Sequence, residues 1–321
     1  MHCAVRRLVL VIAVSSGVLT GCGMGSKSGS PTRAATATTT IGVAVSGAFG
    51  TPPKVTVPAG AAPVTLSRQV IDQGTGRVVA KGDTLIVNYL GQTWAAKNGK
   101  VHVFDSSFAH GAPTAFVIGG GKVIPGWDKT LVGERLGSRL VLTVPPTDGY
   151  GTGGQSSAGI SGTDTLVFVV DLIAAYKPNA SAPGSVVKNL PVGSLPRITN
   201  VAGRKPEILS TVGVRAPTEP VSTLVVAGSG ASIDAARMLV LQFVQTDLAT
   251  GTKTQATWGQ GPQTVPGKNI LKIADKLTGQ RIGSRVIVLL PATAATPATS
   301  TQPAQPAVSP QVLVIDVVGQ F

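Results

Sequence analysis

Three separated runs between Val103 and Gly151 hold the side chains that could form a working site. They are Val103-Phe104-Asp105-Ser106-Ser107-Phe108, Gly121-Lys122-Val123-Ile124-Pro125-Gly126-Trp127-Asp128 and Val144-Pro145-Pro146-Thr147-Asp148-Gly149-Tyr150-Gly151. Only 4% of the chain is aromatic, yet Phe104, Phe108, Phe116, Trp127 and Tyr150 fall within this one span. Aromatic and apolar residues beside Gly and Pro build either an apolar pocket or a core. Polar chemistry has little to draw on. The histidines are His2, His102 and His110, with no second His or carboxylate at ligand spacing, so no metal site is expected. No Gly-x-Ser-x-Gly elbow stands on a strand-to-helix turn, which argues against Ser-His-Asp catalysis. Gly119-Gly120-Gly121-Lys122 lacks the Ser or Thr and the leading Gly of a phosphate-binding loop. No cofactor is implied.

Strands must carry these residues. Leu85 to Leu90 alternates so that Leu85, Val87 and Tyr89 share one face. Leu66–Ile71 and Arg77–Ala80 read as two strands around the turn Gly74-Thr75-Gly76, and Lys81-Gly82-Asp83 turns into the next strand. Lys97-Asn98-Gly99-Lys100 is a hairpin turn leading to Phe104 and Asp105. Pro125–Leu131 reads as a short helix, Arg139–Val144 as an alternating strand, and Gly151–Thr163 as a Gly- and Ser-rich flap. Thr165–Ile173 is a nearly continuous apolar run, suited to a strand buried on both faces. Ahead of all these, Val43, Val45 and Phe49 alternate, and Val55-Thr56-Val57 makes a second short strand of a lead-in segment.

Taken with Tyr89 and Phe168, the quoted runs and the stretch Asp164–Leu172 stand in an order and spacing that resemble an FKBP-type peptidyl-prolyl isomerase domain, over roughly Leu66–Ala174. The resemblance implies an α+β fold in which a curved antiparallel sheet wraps around a short α-helix, and an enzyme that isomerises X-Pro bonds. By the same resemblance Trp127 is the floor under the prolyl ring, and Tyr89, Phe104, Val123, Ile124 and Phe168 are the walls. Tyr150 offers its hydroxyl and Ile124 its backbone N–H to substrate carbonyls, Asp105 stands at the rim, and Ile160 closes the pocket from the flap. The chain departs from the family pattern at Thr114, where an aromatic is common, at His110, near a usual basic residue, and at Ile160-Ser161-Gly162-Thr163-Asp164 in the flap. The pocket also implies a macrolide ligand such as tacrolimus or rapamycin. A noncatalytic chaperone or binding module that grips Pro-containing or unfolded chains is the alternative the residues leave open.

A second copy of the pattern follows. Gly133–Pro146 is echoed by Gly279–Ala292 with six of fourteen positions identical, Val167–Asp171 by Val312–Asp316, and Leu85–Tyr89 by Leu239–Phe243. Aligned this way, Phe243 stands at Tyr89, Thr254 and Gln255 at Phe104 and Asp105, Trp258 at Phe108, Ile273 at Trp127 and Leu313 at Phe168. Ala292–Pro310, a tract of Pro, Ala, Thr and Gln expected to be extended or disordered, replaces the loop of Tyr150. The expectation is two tandem domains: 41–177 with the pocket, a Pro-, Gly- and Ser-rich linker at 178–196, and 197–321 as a degenerate copy without it.

The head of the chain implies export. A basic start with Arg6-Arg7 precedes the apolar stretch Leu8–Leu19, too short to span a bilayer comfortably, and Leu19-Thr20-Gly21-Cys22 follows. This resembles a lipoprotein signal occupying 1–21, with Cys22 the lipidated residue and 22–40 a flexible tether to an extracytoplasmic, membrane-anchored protein. With Cys3 in the leader and Cys22 lipidated, no disulfide is available to the mature chain. The formal charge of +13 falls to +11 without Arg6 and Arg7. Its Lys and Arg are scattered and not interleaved with aromatics, so nucleic acid is not an expected partner. The expected partners are exported X-Pro-containing polypeptides and the membrane.

Overall fold

The computed structural model describes residues 37–38, 40, 42–190, 195–295 and 306–321. The leader, Cys22 and most of the tether lie outside these residues, as does 296–305 of the Pro- and Ala-rich tract. Among the described residues no helix is long and apolar enough to cross a membrane.

A small antiparallel ribbon comes first, made of β1 (Ala37–Thr38), β2 (Ala44–Ser46) and β3 (Lys54–Thr56). The first large sheet then uses β4 (Ser67–Asp72), β5 (Thr84–Thr93), β6 (Val103–Ser106), β7 (Thr114–Val117), β8 (Arg139–Val144) and β9 (Leu166–Tyr176), with helix α1 (Pro125–Leu131) between β7 and β8. Its order is β4-β8-β9-β5-β6, with β7 also paired to β5, and every pair is antiparallel. The limits expected for the helix and for Arg139–Val144 are those observed. Pro125 opens α1 where its missing N–H is no loss. A Cβ on Gly126 would meet Val144 at 2.8 Å, so the helix lies directly on β8.

The apolar run of β9 is buried on both faces because two different layers cover it. Phe168, Val170 and Leu172 face α1 together with Leu85, Val87 and Tyr89. Val167 and Val169 face the other way, against Val43, Val45 and Trp94, with Val55 and Val57 packed around them. The lead-in segment is therefore the back layer of the sheet. A buried ion pair fixes it there. Arg139 grips Asp171 through two bonds of 2.5 and 2.7 Å and spends its other donors on the carbonyls of Gly47 and Thr51, while Asp171 accepts the N–H of Gly50 at 2.7 Å.

Arg77–Ala80 does not form the expected strand beside Leu66–Ile71. β4 pairs with β8 instead, and Val78 makes only an isolated bridge to Arg135. The glycines explain the difference. A Cβ at Gly74 would lie 2.2 Å from the Leu136 carbonyl oxygen, so the chain threads over the 133–138 turn, donating from Gly76 to Leu136 and from Val79 to Glu134. The Gly119–Gly121 turn is also no phosphate loop: both N–H groups donate at 2.6 Å to the carboxylate of Asp128 in α1.

A second large sheet contains β10 (Ser185–Val186), β13 (Val221–Ala227), β14 (Met238–Asp247), β15 (Lys253–Ala256), β16 (Gln263–Pro266), β17 (Arg285–Leu290) and β18 (Gln311–Gln320). A hairpin of β11 (Arg197–Thr199) and β12 (Glu207–Ser210) packs Ile198 and Ile208 on one face of it. The pairing register repeats that of the first sheet: Val244 opposite Ala256 matches Leu90 opposite Ser106, and Arg285 opposite Asp316 matches Arg139 opposite Asp171. This places Phe243, Gln255 and Leu313 where the sequence alignment put them. Ile273 is a correction. It ends helix α2 (Gly267–Ile273), whereas Trp127 is the third residue of α1, because α2 follows β16 directly and no counterpart of Ile118–Ile124 exists. The linker is likewise structured over its described part. Ser185 and Val186 pair with Ala227 and Val226, and Ala182 donates to Asp316 at 2.7 Å.

Candidate active site

Trp127 is the centre of the first sheet's concave side. α1 delivers its ring, 4% exposed, into a box of edge-on aromatics: Phe116 from β7 at 5.1 Å, Tyr89 from β5 at 5.4 Å and Phe168 from β9 at 5.4 Å between centroids. Phe104 from β6 stacks edge-on to Phe168 at 5.5 Å. Such edge-to-face contacts suit the ring quadrupoles. Half-buried Val123, Ile124, Phe104 and Phe116 line the margin, and Ile160 enters from the flap at 4% exposure. The structure thus gathers Tyr89, Phe104, Trp127, Phe168, Val123, Ile124 and Ile160 into one cluster. Two contributors were not legible as site residues. Phe116 stood among the span's aromatics without a role in the pocket, and Gly91 lies just past the strand read as Leu85–Leu90. A Cβ on Gly91 would stand 2.7 Å from the Phe104 ring and 2.8 Å from Phe168, so only glycine lets these rings close over the strand.

The polar groups sit at the rim. The two serines after Asp105 explain its place: Ser107 Oγ accepts from the N–H of Tyr89 and its own N–H donates back to the Tyr89 carbonyl, clamping β6 to β5 at that residue. The Tyr89 hydroxyl then donates to Asp105 Oδ2 at 2.6 Å. The other carboxylate oxygen of Asp105 is 3.6 Å from Nε2 of His110, on a largely exposed side chain. Burial first, then the hydrogen bond and charge of Asp105, push the Tyr89 phenol far above its ordinary value. Burial, with Asp105 second, also raises Tyr150, which stands 39% exposed at the mouth. The N–H of Ile124, the residue preceding α1, has no partner among the described residues. The indole N–H of Trp127 is buried without a partner as well.

The arrangement is an apolar box with a few hydrogen-bonding groups at its edge and no nucleophile paired to a base. It can strip water from a small apolar group and hold the carbonyls on either side. A separate surface hollow of about 440 Å³ lies along Gln73–Thr75 and Gly133–Arg135. It has no aromatic lining and offers no such environment.

Residues 76–173 match the family model described as FKBP-type peptidyl-prolyl cis-trans isomerase. An FK506-binding protein of Streptomyces anulatus is 36% identical over 122 residues, which cover 38% of this chain and 95% of the relative. The chain belongs to the FKBP-type peptidyl-prolyl isomerase family. The isomerase FKBP15-1 of Arabidopsis thaliana is 43% identical over 103 residues, covering 32% of this chain and 63% of that protein. FkpA of Escherichia coli K12 is 36% identical over 121 residues, covering 36% and 42%. The chain thus spans less than two thirds of the length of these last two. Membership makes the chain an enzyme of the peptidyl-prolyl cis-trans isomerase class, and the matched residues contain every aromatic of the box, while the second sheet lies beyond residue 173.

Proposed function

We propose that the first sheet isomerises X-Pro bonds in exported polypeptides, on a chain held by lipid at Cys22 to the outer face of the cytoplasmic membrane. Rotation about a peptide bond faces a barrier of about 18–20 kcal/mol, and X-Pro isomers exchange over tens to hundreds of seconds unaided. In the twisted amide resonance is lost and the carbonyl is less polar, so it loses less than the planar form on leaving water. An enclosure that is apolar where the amide twists therefore lowers the barrier by binding the transition state better than the ground state. Trp127 serves as the floor under the prolyl ring, with Tyr89, Phe104, Phe116, Val123, Ile160 and Phe168 as walls. Tyr150 Oη and the Ile124 N–H donate to carbonyls flanking the twisting bond. Tyr89 fixes Asp105 at the rim.

The observation that carries this reading is the position of Trp127, buried under three edge-on rings with the unpartnered Ile124 N–H and half-exposed Tyr150 at its border. The test is a proline-limited refolding assay. The mature chain is expected to accelerate the slow phase, Trp127→Ala to lose most of that acceleration and Tyr150→Phe part of it, with circular dichroism unchanged; full activity in folded Trp127→Ala would sink the proposal.

We read the second sheet as a degenerate FKBP-like copy with no catalytic role. The missing counterpart of Ile118–Ile124 supports this, since that stretch supplies Val123 and Ile124 in the first sheet. The same loss favours, as a second reading, a grip on unfolded chains. Suppression of a client's aggregation that survives Trp127→Ala would support it.

A further inference from the structure

We propose that Lys97 and His102 are positioning residues of the isomerase site, holding the flap in place on both sides of Ile160. This rests on the isomerase reading above. Both residues belong to the hairpin joining β5 and β6, which is not part of the aromatic box. Its tip is rigid for a local reason. Asn98 and Gly99 have φ of 51° and 72°, and Lys97 and Lys100 exchange both backbone hydrogen bonds, the pattern of a two-residue hairpin turn whose central residues are left-handed. The root is fixed as well: Thr93 N–H donates to the His102 carbonyl at 3.0 Å, and Trp94 N–H to the carbonyl of Thr165, just past the flap, at 2.8 Å.

From this support two side chains reach across to the flap. Lys97 Nζ donates to the Gly159 carbonyl at 2.5 Å and to Asp164 Oδ2 at 2.6 Å. Asp164 Oδ2 also accepts the N–H of Ser161 at 2.7 Å, which joins the ammonium to the backbone immediately after Ile160. His102, with its proton on Nε2, donates to the Ala158 carbonyl at 2.9 Å. The imidazole lies close against the flap because residue 159 is glycine, where a Cβ would come within 3.0 Å of His102 Nε2. The acceptors at 158, 159 and 164 bracket Ile160, the flap's buried contribution to the cluster around Trp127. Within the flap Ile160 is tied only to Gln155, through a pair of backbone bonds of 2.8 and 3.0 Å.

Without the clamp the floor would still bind the prolyl ring, but the wall that completes the apolar enclosure would wander. The loss should therefore fall on kcat and leave KM nearly unchanged. The experiment compares the whole mature chain with Lys97→Met/His102→Leu, Lys97→Arg and Trp127→Ala in the same protease-free isomerase assay on a prolyl peptide. The double variant is expected to lose about tenfold in kcat, the worth of one charge-assisted hydrogen bond, with KM within about twofold and Lys97→Arg retaining most activity. Amide exchange at Ile160 should quicken by a similar factor in the double variant. An active wild type whose kcat is matched by the double variant overturns the clamp and leaves the isomerase reading standing. A wild type no faster than Trp127→Ala overturns both, and unchanged exchange at Ile160 shows that the hairpin does not hold the flap.

Discussion

The bond from Tyr89 Oη to Asp105 joins a phenol that burial keeps neutral to a carboxylate oxygen that accepts its hydrogen. Its pH signature follows from the direction of the shift. A phenol held above its ordinary value binds its proton more tightly when folded than when unfolded. Its contribution to stability is full below the unfolded value of about 10 and is lost as pH rises toward the folded value. Thermal midpoints measured from pH 8 to 11 should fall above about pH 10 in the wild type, and fall less in Tyr89→Phe. An alkaline decline identical in the two proteins would show that another group is responsible. The sequence singles out Phe104, Asp105, Trp127 and Tyr150, because aromatics are rare here and stand at characteristic spacing around Asp105, but it does not show the bond from Tyr89 to Asp105. Gly91, Lys97 and His102 were not legible as site residues for the opposite reason. A glycine or lysine near a hairpin is common, and only the strand register and the flap's approach give these three a task.

At the scale of elements, β9 was legible as a strand buried on both faces, but what covers its back face was not. The answer lies in the Arg139–Asp171 pair, both side chains at most 1% exposed, which pins residues 47–51 of the lead-in segment across 88 to 121 positions of sequence. A charge removed from water is costly unless its partner stays, so the two members should not be separable. Arg139→Met leaves Asp171 buried and unpaired, and urea unfolding should show a loss of about 3–5 kcal/mol. Replacing both, as Arg139→Met with Asp171→Leu, should recover most of it, since well-packed apolar pairs often match buried ion pairs. A loss below about 1 kcal/mol in Arg139→Met would instead mean the pair behaves like an exposed one. The pair Arg285–Asp316 repeats the device, gripping Ala182 and the carbonyl of Arg204. Arg77–Ala80 departs from the expected strand for a different reason: Gly74 and Gly76 signal a turn in the sequence, while their lack of a Cβ serves a close crossing over Leu136.

For the whole molecule, composition and the repeat read as two tandem domains joined by a linker, and Ala34–Phe321 form one compact unit. The Pro178 carbonyl accepts from Gln242 Nε2 at 2.7 Å and from the Gly259 N–H at 3.3 Å, and the Trp258 indole donates to Ser181 at 2.9 Å. Glycines stand where the sheets approach closely. A Cβ on Gly261 would lie 2.5 Å from Thr84 Oγ1, and one on Gly319 would lie 2.1 Å from the hydroxyl of Tyr176. Such a junction leaves little trace in sequence, because backbone carbonyls, missing side chains and a few scattered side-chain donors make it. It also has a thermodynamic consequence. Two sheets that share buried surface and a hydrogen-bonded connection should unfold together, whereas bodies on a free linker melt independently. Calorimetry of the protein should give one cooperative transition, and Gly319→Val, which forces a side chain into the space of Tyr176, should split it into two. A wild type that already melts in two independent steps would show that the junction does not couple the sheets. If Gly319→Val splits the transition yet leaves isomerase activity unchanged, the second sheet supports the stability of the first and takes no part in its chemistry.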